Sequence, residues 1–274
     1  MVAYMEHKNL ANEHISSERA QEITDGVRRV QDQLAQAEAA AGRSEGSVRL
    51  LAATKTRDVG EIAAALDAGV RLIGENRPQE VVAKFEGLAR QCAQRNLIIG
   101  DWVDDKPVPG SLSCVGFHLI GQLQSNKIGK VIPYTDTIES VDSLELAQKI
   151  ARRALAQGKT TGVLLEVNES GEEAKSGCAP EQAADVAYQI GELEGLSLRG
   201  LMTVGAHVNE ERVIRAGFSH LRELRDEIQS SRQSGTANCH ELSMGMSQDL
   251  AYAVAEGSTI VRVGTAIFGE RAFM

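Results

Sequence analysis

The sequence predicts an α/β protein whose single domain is a closed (β/α)8 TIM barrel. Short apolar runs alternate with amphipathic stretches from about residue 50 onwards, and eight such runs can be counted. Strands that alternate with helices indicate a parallel sheet, and eight units close a barrel. At 274 residues the chain is also long enough for two ordinary domains. An open doubly wound sheet is the alternative, but it needs a glycine-rich turn after its first strand, and the segment 55–58 contains no glycine.

One helix is predicted in front of the barrel. It covers residues 15–41, with Ser16 and Ser17 as candidate caps and Gly42 at its end. The predicted strands are 50–55, 71–73, 114–120, 137–140, 162–167, 198–204, 241–243 and 259–263. The clearest predicted helices between them are 59–68, 125–132, 143–157, 181–193, 210–231 and 247–255. The last strand is expected to be followed by only a very short helix.

The whole chain, 1–274, is expected to form one domain. Residues 1–47 would be a helical extension in front of the barrel. Between residues 93 and 113 the alternating pattern lapses into a segment rich in glycine, proline and aspartate. We interpret this segment as a surface excursion, because the pattern resumes after it.

The composition argues against several classes of function. Lysine and arginine total 29 against 38 acidic residues, giving a net charge of -9, and no basic stripe is interleaved with aromatic residues. Nucleic acid is therefore not expected as a partner. No apolar run approaches bilayer length and the first 14 residues are polar, so we expect neither membrane insertion nor secretion.

The cysteines and the surface pattern lead to three further expectations. Cys92, Cys114, Cys178 and Cys239 form no CxxC pair, and no histidine stands at metal-ligand spacing from them. Reduced thiols in a cytoplasmic protein, without a metal site, are the simplest interpretation. No exposed apolar stripe requires a dimer, so we expect a monomer.

Lys55 is the first candidate functional residue. It stands at the downstream end of the apolar run 50–54. The downstream ends of parallel barrel strands form the active face, and a lysine that loses water there gains the neutral amine that a Schiff base requires. The alternative is a structural charge that is paired inside the protein.

The last two strand ends indicate a phosphate site. The segments that follow them are 243–247 and 264–269, both rich in glycine and hydroxyl side chains. The loops after strands seven and eight are the usual phosphate site of such barrels, and Ser247 is expected to open a helix whose N-terminal amides favour an anion. Ordinary turns are the alternative interpretation.

A third element is Arg262, which lies on the last strand beside the phosphate loop. A Schiff-base lysine, a phosphate cradle and a cation between them describe a site for pyridoxal 5'-phosphate (PLP). Arginine stays protonated, so at the pyridine nitrogen it would weaken the electron sink on which most PLP enzymes depend. A structural ion pair is the alternative for Arg262. His118 and His207 are candidates for the same rim, with a satisfied core histidine an equal alternative for His118.

A succession of motifs resembles a known family. In chain order they are ATKT at 53–56, GENRPQE at 74–80, FHLIGQLQSNK at 117–127, KSG at 175–177, LMT at 201–203, LSMGMS at 242–247 and VRVGTAIFG at 261–269. They look like the signatures of the pyridoxal phosphate homeostasis protein family, over about residues 50–271. The sequence departs from the family pattern in its longer excursion at 93–113, and in Arg57 and Asp58, where a lysine-proline pair is common.

The resemblance implies a barrel similar to the N-terminal domain of bacterial alanine racemase, with PLP held on the lysine matching Lys55. It implies no established catalytic activity, and a role in balancing vitamin B6 and amino-acid pools with apo PLP-dependent enzymes as candidate partners. Asn76 would lie by the cofactor and Arg262 by its ring nitrogen, and the remaining residues would hold the phosphate. The implied cofactor-binding residues are Lys55, Asn76, Ser243, Met244, Gly245, Arg262, Gly264 and Thr265.

Two catalytic alternatives stay open. A racemase needs two bases on opposite faces of the substrate carbon, and in similar enzymes the second base comes from an extra β domain. We expect no such domain after Gly264. A lysine-dependent aldolase acting on a sugar phosphate could use the same lysine and phosphate cradle, but the specific motifs match elsewhere.

Overall fold

The computed structural model describes residues 9–100, 113–170, 176–205, 208 and 210–270. The strands in these ranges are β1 (Arg49–Ala53), β2 (Leu72–Glu75), β3 (Leu97–Ile99), β4 (Ser113–Leu119), β5 (Thr137–Val141), β6 (Thr161–Glu166), β7 (Leu196–Met202), β8 (Glu241–Ser243) and β9 (Ile260–Val263). The helices are α1 (Ser17–Ala40), α2 (Val59–Asp67), α3 (Pro78–Gln94), α4 (Ile128–Val131), α5 (Leu144–Leu155), α6 (Pro180–Gly191), α7 (Glu211–Ser230), α8 (Leu250–Ala255) and α9 (Thr265–Phe268).

Eight of the strands close the predicted parallel barrel. Their order is β2, β1, β9, β8, β7, β6, β5 and β4, and a further pairing of β2 with β4 closes the ring. Apolar side chains from the strands and the surrounding helices form one large core cluster. Because the strands are parallel, their C-terminal ends meet at one rim, which is where function is expected in this fold.

The first helix packs against the barrel wall. Ser16 caps α1, as predicted, by accepting a hydrogen bond from the Arg19 N–H at 3.2 Å. The buried face of α1 contacts α2, α8 and α9. Since α9 has only 4 residues, α1 covers the part of the wall that a full-length last helix would cover. Gly26 permits the close approach, because a Cβ atom there would lie 2.3 Å from the Ile267 carbonyl oxygen.

The excursion predicted at 93–113 is partly wrong. Helix α3 continues to Gln94, and Leu97–Ile99 forms β3, which pairs in parallel with the first residues of β4. Leu97 and Ile99 are buried, so this short apolar run contributes to the core. Residues 101–112, with most of the proline and aspartate cluster, lie outside the described residues.

No helix among the described residues is long and apolar enough to cross a membrane.

We expect Gly26→Ala to lower the free energy of unfolding by about 1–3 kcal/mol, because the added methyl group forces α1 away from α9. Urea unfolding measures the change. The matched control is Gly129→Ala in α4, where nothing lies within 4 Å of the new Cβ atom. The control should be neutral or slightly stabilising, and equal effects at both positions would contradict the packing argument.

Candidate functional site

Lys55 lies on the C-terminal rim of the barrel. Strand β1 ends at Ala53, two residues earlier than predicted, and Lys55 is half-buried in the turn that leads to α2. The Arg57 N–H closes this turn on the Thr54 carbonyl oxygen at 3.0 Å. Thr56 has a φ of 66°, a left-handed conformation that is strained for a β-branched residue. The chain therefore changes direction sharply at Lys55.

The loop after β9 lies against the end of β1. Ala52 pairs with Val263, and a Cβ atom on Gly264 would lie 3.2 Å from the Ala53 carbonyl oxygen. Helix α9 begins one residue later, at Thr265, and its first N–H groups have no partner within the helix. The predicted lysine and one half of the predicted phosphate cradle are thus neighbours on one rim.

The other half of the predicted phosphate cradle, the segment 243–247 after β8, differs from what the sequence predicted. Ser247 does not open a helix, because α8 begins at Leu250 and Asp249 Oδ1 accepts the Met246 N–H. The Met244 N–H donates to the Ile260 carbonyl oxygen at 3.1 Å, so the sheet already occupies it. Gly245 has a φ of 95° and a Cβ atom there would lie 2.4 Å from Ala253 Cβ, so this turn requires glycine. Of Met244 and Gly245, Gly245 therefore has the backbone that is better placed to receive a ligand.

A buried polar network lies beneath the phosphate cradle. Arg262 donates to the carbonyl oxygen of Ser243 at 2.6 Å, to its Oγ at 2.7 Å and to the Thr203 carbonyl oxygen at 2.7 Å. The Ser243 hydroxyl donates its proton to Glu139 Oε2 at 2.6 Å. His118 Nδ1 lies 2.6 Å from Glu139 Oε1, so His118 points inward and has a partner. The Ser243 side chain therefore orients both Arg262 and Glu139.

Glu139 is the residue of this network that sequence reasoning missed. It is fully buried in β5. Burial raises its pKa, but His118, Arg262 and Ser243 outweigh burial and hold that pKa below its ordinary value. Burial lowers the pKa of Arg262, and the charge of Glu139, 4.0 Å away, opposes that shift. The signal in the sequence was a lone carboxylate at the centre of the short predicted strand 137–140.

A second buried cluster, formed by Glu75, Glu80 and Lys84, lies below the turn that carries Lys55. Lys84 has no exposed side-chain surface, and its Nζ donates to Glu75 Oε1 at 2.6 Å, to Glu80 Oε2 at 3.0 Å and to the Thr54 carbonyl oxygen at 3.0 Å. Each N–H of the ammonium therefore has an acceptor. The second predicted strand ended at residue 73, but β2 continues to Glu75. The pairing with Lys84 explains why a carboxylate ends a buried strand.

The carboxylates of this cluster differ in proton affinity. Burial and the nearby Glu80 charge raise the pKa of Glu75 to about 7, although Lys84 opposes the shift. Burial also raises the pKa of Glu80, but the Lys84 charge and the Thr56 N–H outweigh it, and the pKa is lowered overall. The pair thus favours one proton on Glu75 and none on Glu80.

Three buried side-chain oxygens in the described residues have no hydrogen-bond partner, and all belong to the motif at 74–80. They are Glu75 Oε2, Asn76 Oδ1 and Glu80 Oε1. Asn76 follows β2 directly and is half-buried at the rim, and a Cβ atom on Gly121 would lie 2.3 Å from its carbonyl oxygen. An unpaired amide oxygen at the rim fits a residue that is completed by a ligand.

The two departures from the family pattern have structural roles. Arg57 Nη2 donates to the Gly269 carbonyl oxygen at 2.6 Å, which ties the end of α9 to the Lys55 turn. Asp58 caps α2, accepting the Glu61 N–H at 2.9 Å in a reciprocal capping box. His207, the remaining rim candidate, lies outside the described residues, and the described part of the chain contains no group of three metal-ligating side chains.

The chain is similar to proteins of known sequence and structure. The family model described as alanine racemase, N-terminal domain, matches residues 27–272. The pyridoxal phosphate homeostasis protein of Aquifex aeolicus is 37% identical over 245 residues, which cover 89% of this chain and 96% of the relative.

Two solved structures are also similar. A crystal structure of an unknown protein from Bifidobacterium adolescentis matches with a TM-score of 0.91 at 66% identity, covering 95% of this chain and all 100% of the other. PipY of Synechococcus elongatus, solved with PLP bound, matches with a TM-score of 0.65 at 33% identity, covering 86% of this chain and 100% of PipY.

We expect Glu75→Gln to change how stability depends on pH. The folded pKa of about 7 exceeds the ordinary 4.5, so the folded chain binds more protons between these values. The contribution of Glu75 to stability is therefore lost as pH rises through this window, by up to about 3 kcal/mol. Glutamine does not titrate, so the free energy of unfolding of the variant, relative to the natural chain, should increase between pH 5 and pH 8.

Urea unfolding at several pH values tests this prediction. The control is Glu145→Gln, which removes an exposed carboxylate whose pKa is lowered by its hydrogen bond with Lys149. The stability difference between this variant and the natural chain should therefore be constant between pH 5 and pH 8 and should change only below about pH 4.5. Parallel pH curves for the natural chain and Glu75→Gln would contradict the assigned proton.

Proposed function

Because the chain belongs to the pyridoxal phosphate homeostasis protein family, we propose that it binds PLP at the C-terminal rim of the barrel, as a Schiff base on Lys55. The observation that carries this proposal is the adjacency of Lys55 to the Gly264 loop through the β1–β9 pairing. An amine and an anion cradle on one rim match the two ends of PLP, an aldehyde and a phosphate. The PLP bound to PipY, a relative at 33% identity, supports the same ligand here.

The residues present fit this cofactor. The N–H groups at the start of α9, with Gly264 and Gly245, suit the phosphate, because small residues let the backbone approach an anion. The unpaired Asn76 Oδ1 provides a polar contact at the rim. We assign Ser243 to this site because its hydroxyl accepts a hydrogen bond from Arg262. We assign Met244 to it because its buried side chain anchors the loop after β8.

We further propose that the protein keeps PLP and does not turn over a substrate. When bound, PLP supplies an aldehyde for amines and a ring that can accept electrons. Arg262 is held by the Ser243 and Thr203 carbonyl oxygens, and a permanent cation at the ring nitrogen would oppose its protonation. A role in intracellular PLP and amino-acid homeostasis follows, and the family name of the relatives supports it.

The cellular setting is part of the same proposal. We place the chain in the cytoplasm as a monomer, with apo PLP-dependent enzymes as partners. The four cysteines are buried and none of them forms a disulfide, which suits a reducing compartment.

We expect Lys55→Ala to abolish the visible absorption band that PLP gives on the natural chain. Borohydride reduction of the natural protein should fix the cofactor on Lys55, as mapped by peptide mass spectrometry. The control is Lys149→Ala, which removes an exposed lysine of α5 and should leave the band unchanged. A colourless natural protein that cleaves a sugar phosphate would support an aldolase instead.

We expect alanine to exchange its α-proton with deuterated water no faster with the PLP-loaded protein than with the same concentration of free PLP. The reason is that Arg262 weakens the electron sink that proton removal requires. Nuclear magnetic resonance measures the exchange. Turnover at about 1 per second or more, typical of enzymes, would establish a racemase-like activity.

A further inference from the structure

We propose that the buried cluster of Glu75, Glu80 and Lys84 positions Lys55, by holding the peptide groups on both sides of that residue. The inference rests on the proposed function, because it assigns these three as positioning residues for the amine that would bind PLP. None of them is expected to touch the cofactor.

The geometry places one contact on each flanking peptide group. The peptide group that precedes Lys55 ends in the Thr54 carbonyl oxygen, which accepts from Lys84 Nζ at 3.0 Å. The peptide group that follows it carries the Thr56 N–H, which donates to Glu80 Oε2 at 2.6 Å. Since Lys84 and Glu80 also bind each other, one buried ion pair fixes the backbone of Lys55 from two directions.

The backbone at this turn needs such support. Thr56 is the one β-branched residue with a positive φ among the described residues, and this conformation is unfavourable for it. Strained residues persist only where the surrounding structure holds them in place, and they cluster at ligand sites. The contact from Glu80 acts on the strained residue itself.

The cluster is also tied to the strand beneath it. The Thr54 hydroxyl donates to Glu75 Oε1 at 2.6 Å and lies 3.1 Å from the Gly74 carbonyl oxygen. Glu75 ends β2 and is followed by Asn76, so one cluster connects the Lys55 turn with a second candidate cofactor residue. Movement of the cluster would therefore displace both the Lys55 turn and Asn76.

An ordinary structural ion pair would stabilise the barrel without affecting the chemistry of Lys55. Substitutions of Glu80 can distinguish a structural role from a positioning role. Glu80 Oε2 accepts the hydrogen bonds from both Thr56 N–H and Lys84 Nζ, whereas Oε1 has no partner. Glu80→Gln can keep the accepting oxygen at the same reach while it loses the charge. Glu80→Asp keeps the charge but is one methylene shorter, so it no longer reaches the Thr56 N–H in the same geometry.

The experiment measures PLP binding to the apo forms of the natural chain, Glu80→Gln and Glu80→Asp. The rate of growth of the visible band is followed, and reduced adducts are mapped. Glu80→Gln should stay within about threefold of the natural rate, whereas Glu80→Asp should be about tenfold slower or more, because small displacements of a reacting group have effects up to about 100-fold. Glu145→Gln and Glu145→Asp, at an exposed carboxylate of α5, should match the natural chain.

Urea unfolding of the same variants ensures that rates are compared among folded proteins. The inference is overturned if Glu80→Asp binds as fast as Glu80→Gln, or if both match the natural chain. If Glu80→Gln forms the adduct more than about threefold slower than the natural chain, the charge of Glu80 matters and not its hydrogen bonds to the backbone, and the inference is also overturned. If the natural chain itself forms no adduct on Lys55, the proposed function fails, and that outcome is distinct from failure of the positioning role.

Discussion

The parallel pairing of β1 with β9 is the constraint on which the site depends. It joins the first and last barrel strands, so residues separated by about 200 positions in the chain lie side by side. This pairing brings together the turn that carries Lys55 and the loop that begins at Gly264, and the hydrogen bond from Arg57 to the Gly269 carbonyl oxygen adds a second connection. The closeness of that contact favours glycine at 264, since an added Cβ atom would lie 3.2 Å from the Ala53 carbonyl oxygen.

Two buried polar networks support this rim from below. Arg262, Ser243 and Glu139 connect β9, β8 and β5, while Lys84 and Glu75 connect α3 with β2. Buried charges carry a large desolvation penalty, and they are tolerated only when paired and hydrogen-bonded. The charges of both networks are paired and hydrogen-bonded, except that Glu75 Oε2 and Glu80 Oε1 have no hydrogen-bond partner. Their geometry is consequently well defined, and the rim gains fixed side chains where loops alone would be mobile.

The sequence was sufficient to predict the barrel, because alternation of strands and helices depends on local periodicity. It was also sufficient to place Lys55 and Arg262 at strand ends. It did not predict β3, since a three-residue apolar run between a helix and a polar segment has little periodicity. Burial of Glu139 and Lys84 could not be predicted either, because it depends on partners from other elements. The motif at 74–80 contained the two carboxylates of the cluster, Glu75 and Glu80, but only the packing of α3 on β2 revealed their pairing with Lys84.

Lys55 and Lys84 lie at the same turn of the barrel but in contrasting environments. Lys84 is fully enclosed and its ammonium donors all have acceptors, so the ion pair holds it in position. Lys55 is half-buried on a turn whose peptide groups are occupied by that same ion pair. A Schiff base requires an amine that can reach an aldehyde, and the complete burial of Lys84 prevents this. Under the proposed positioning role, the enclosed Lys84 fixes the backbone from which the half-buried Lys55 extends.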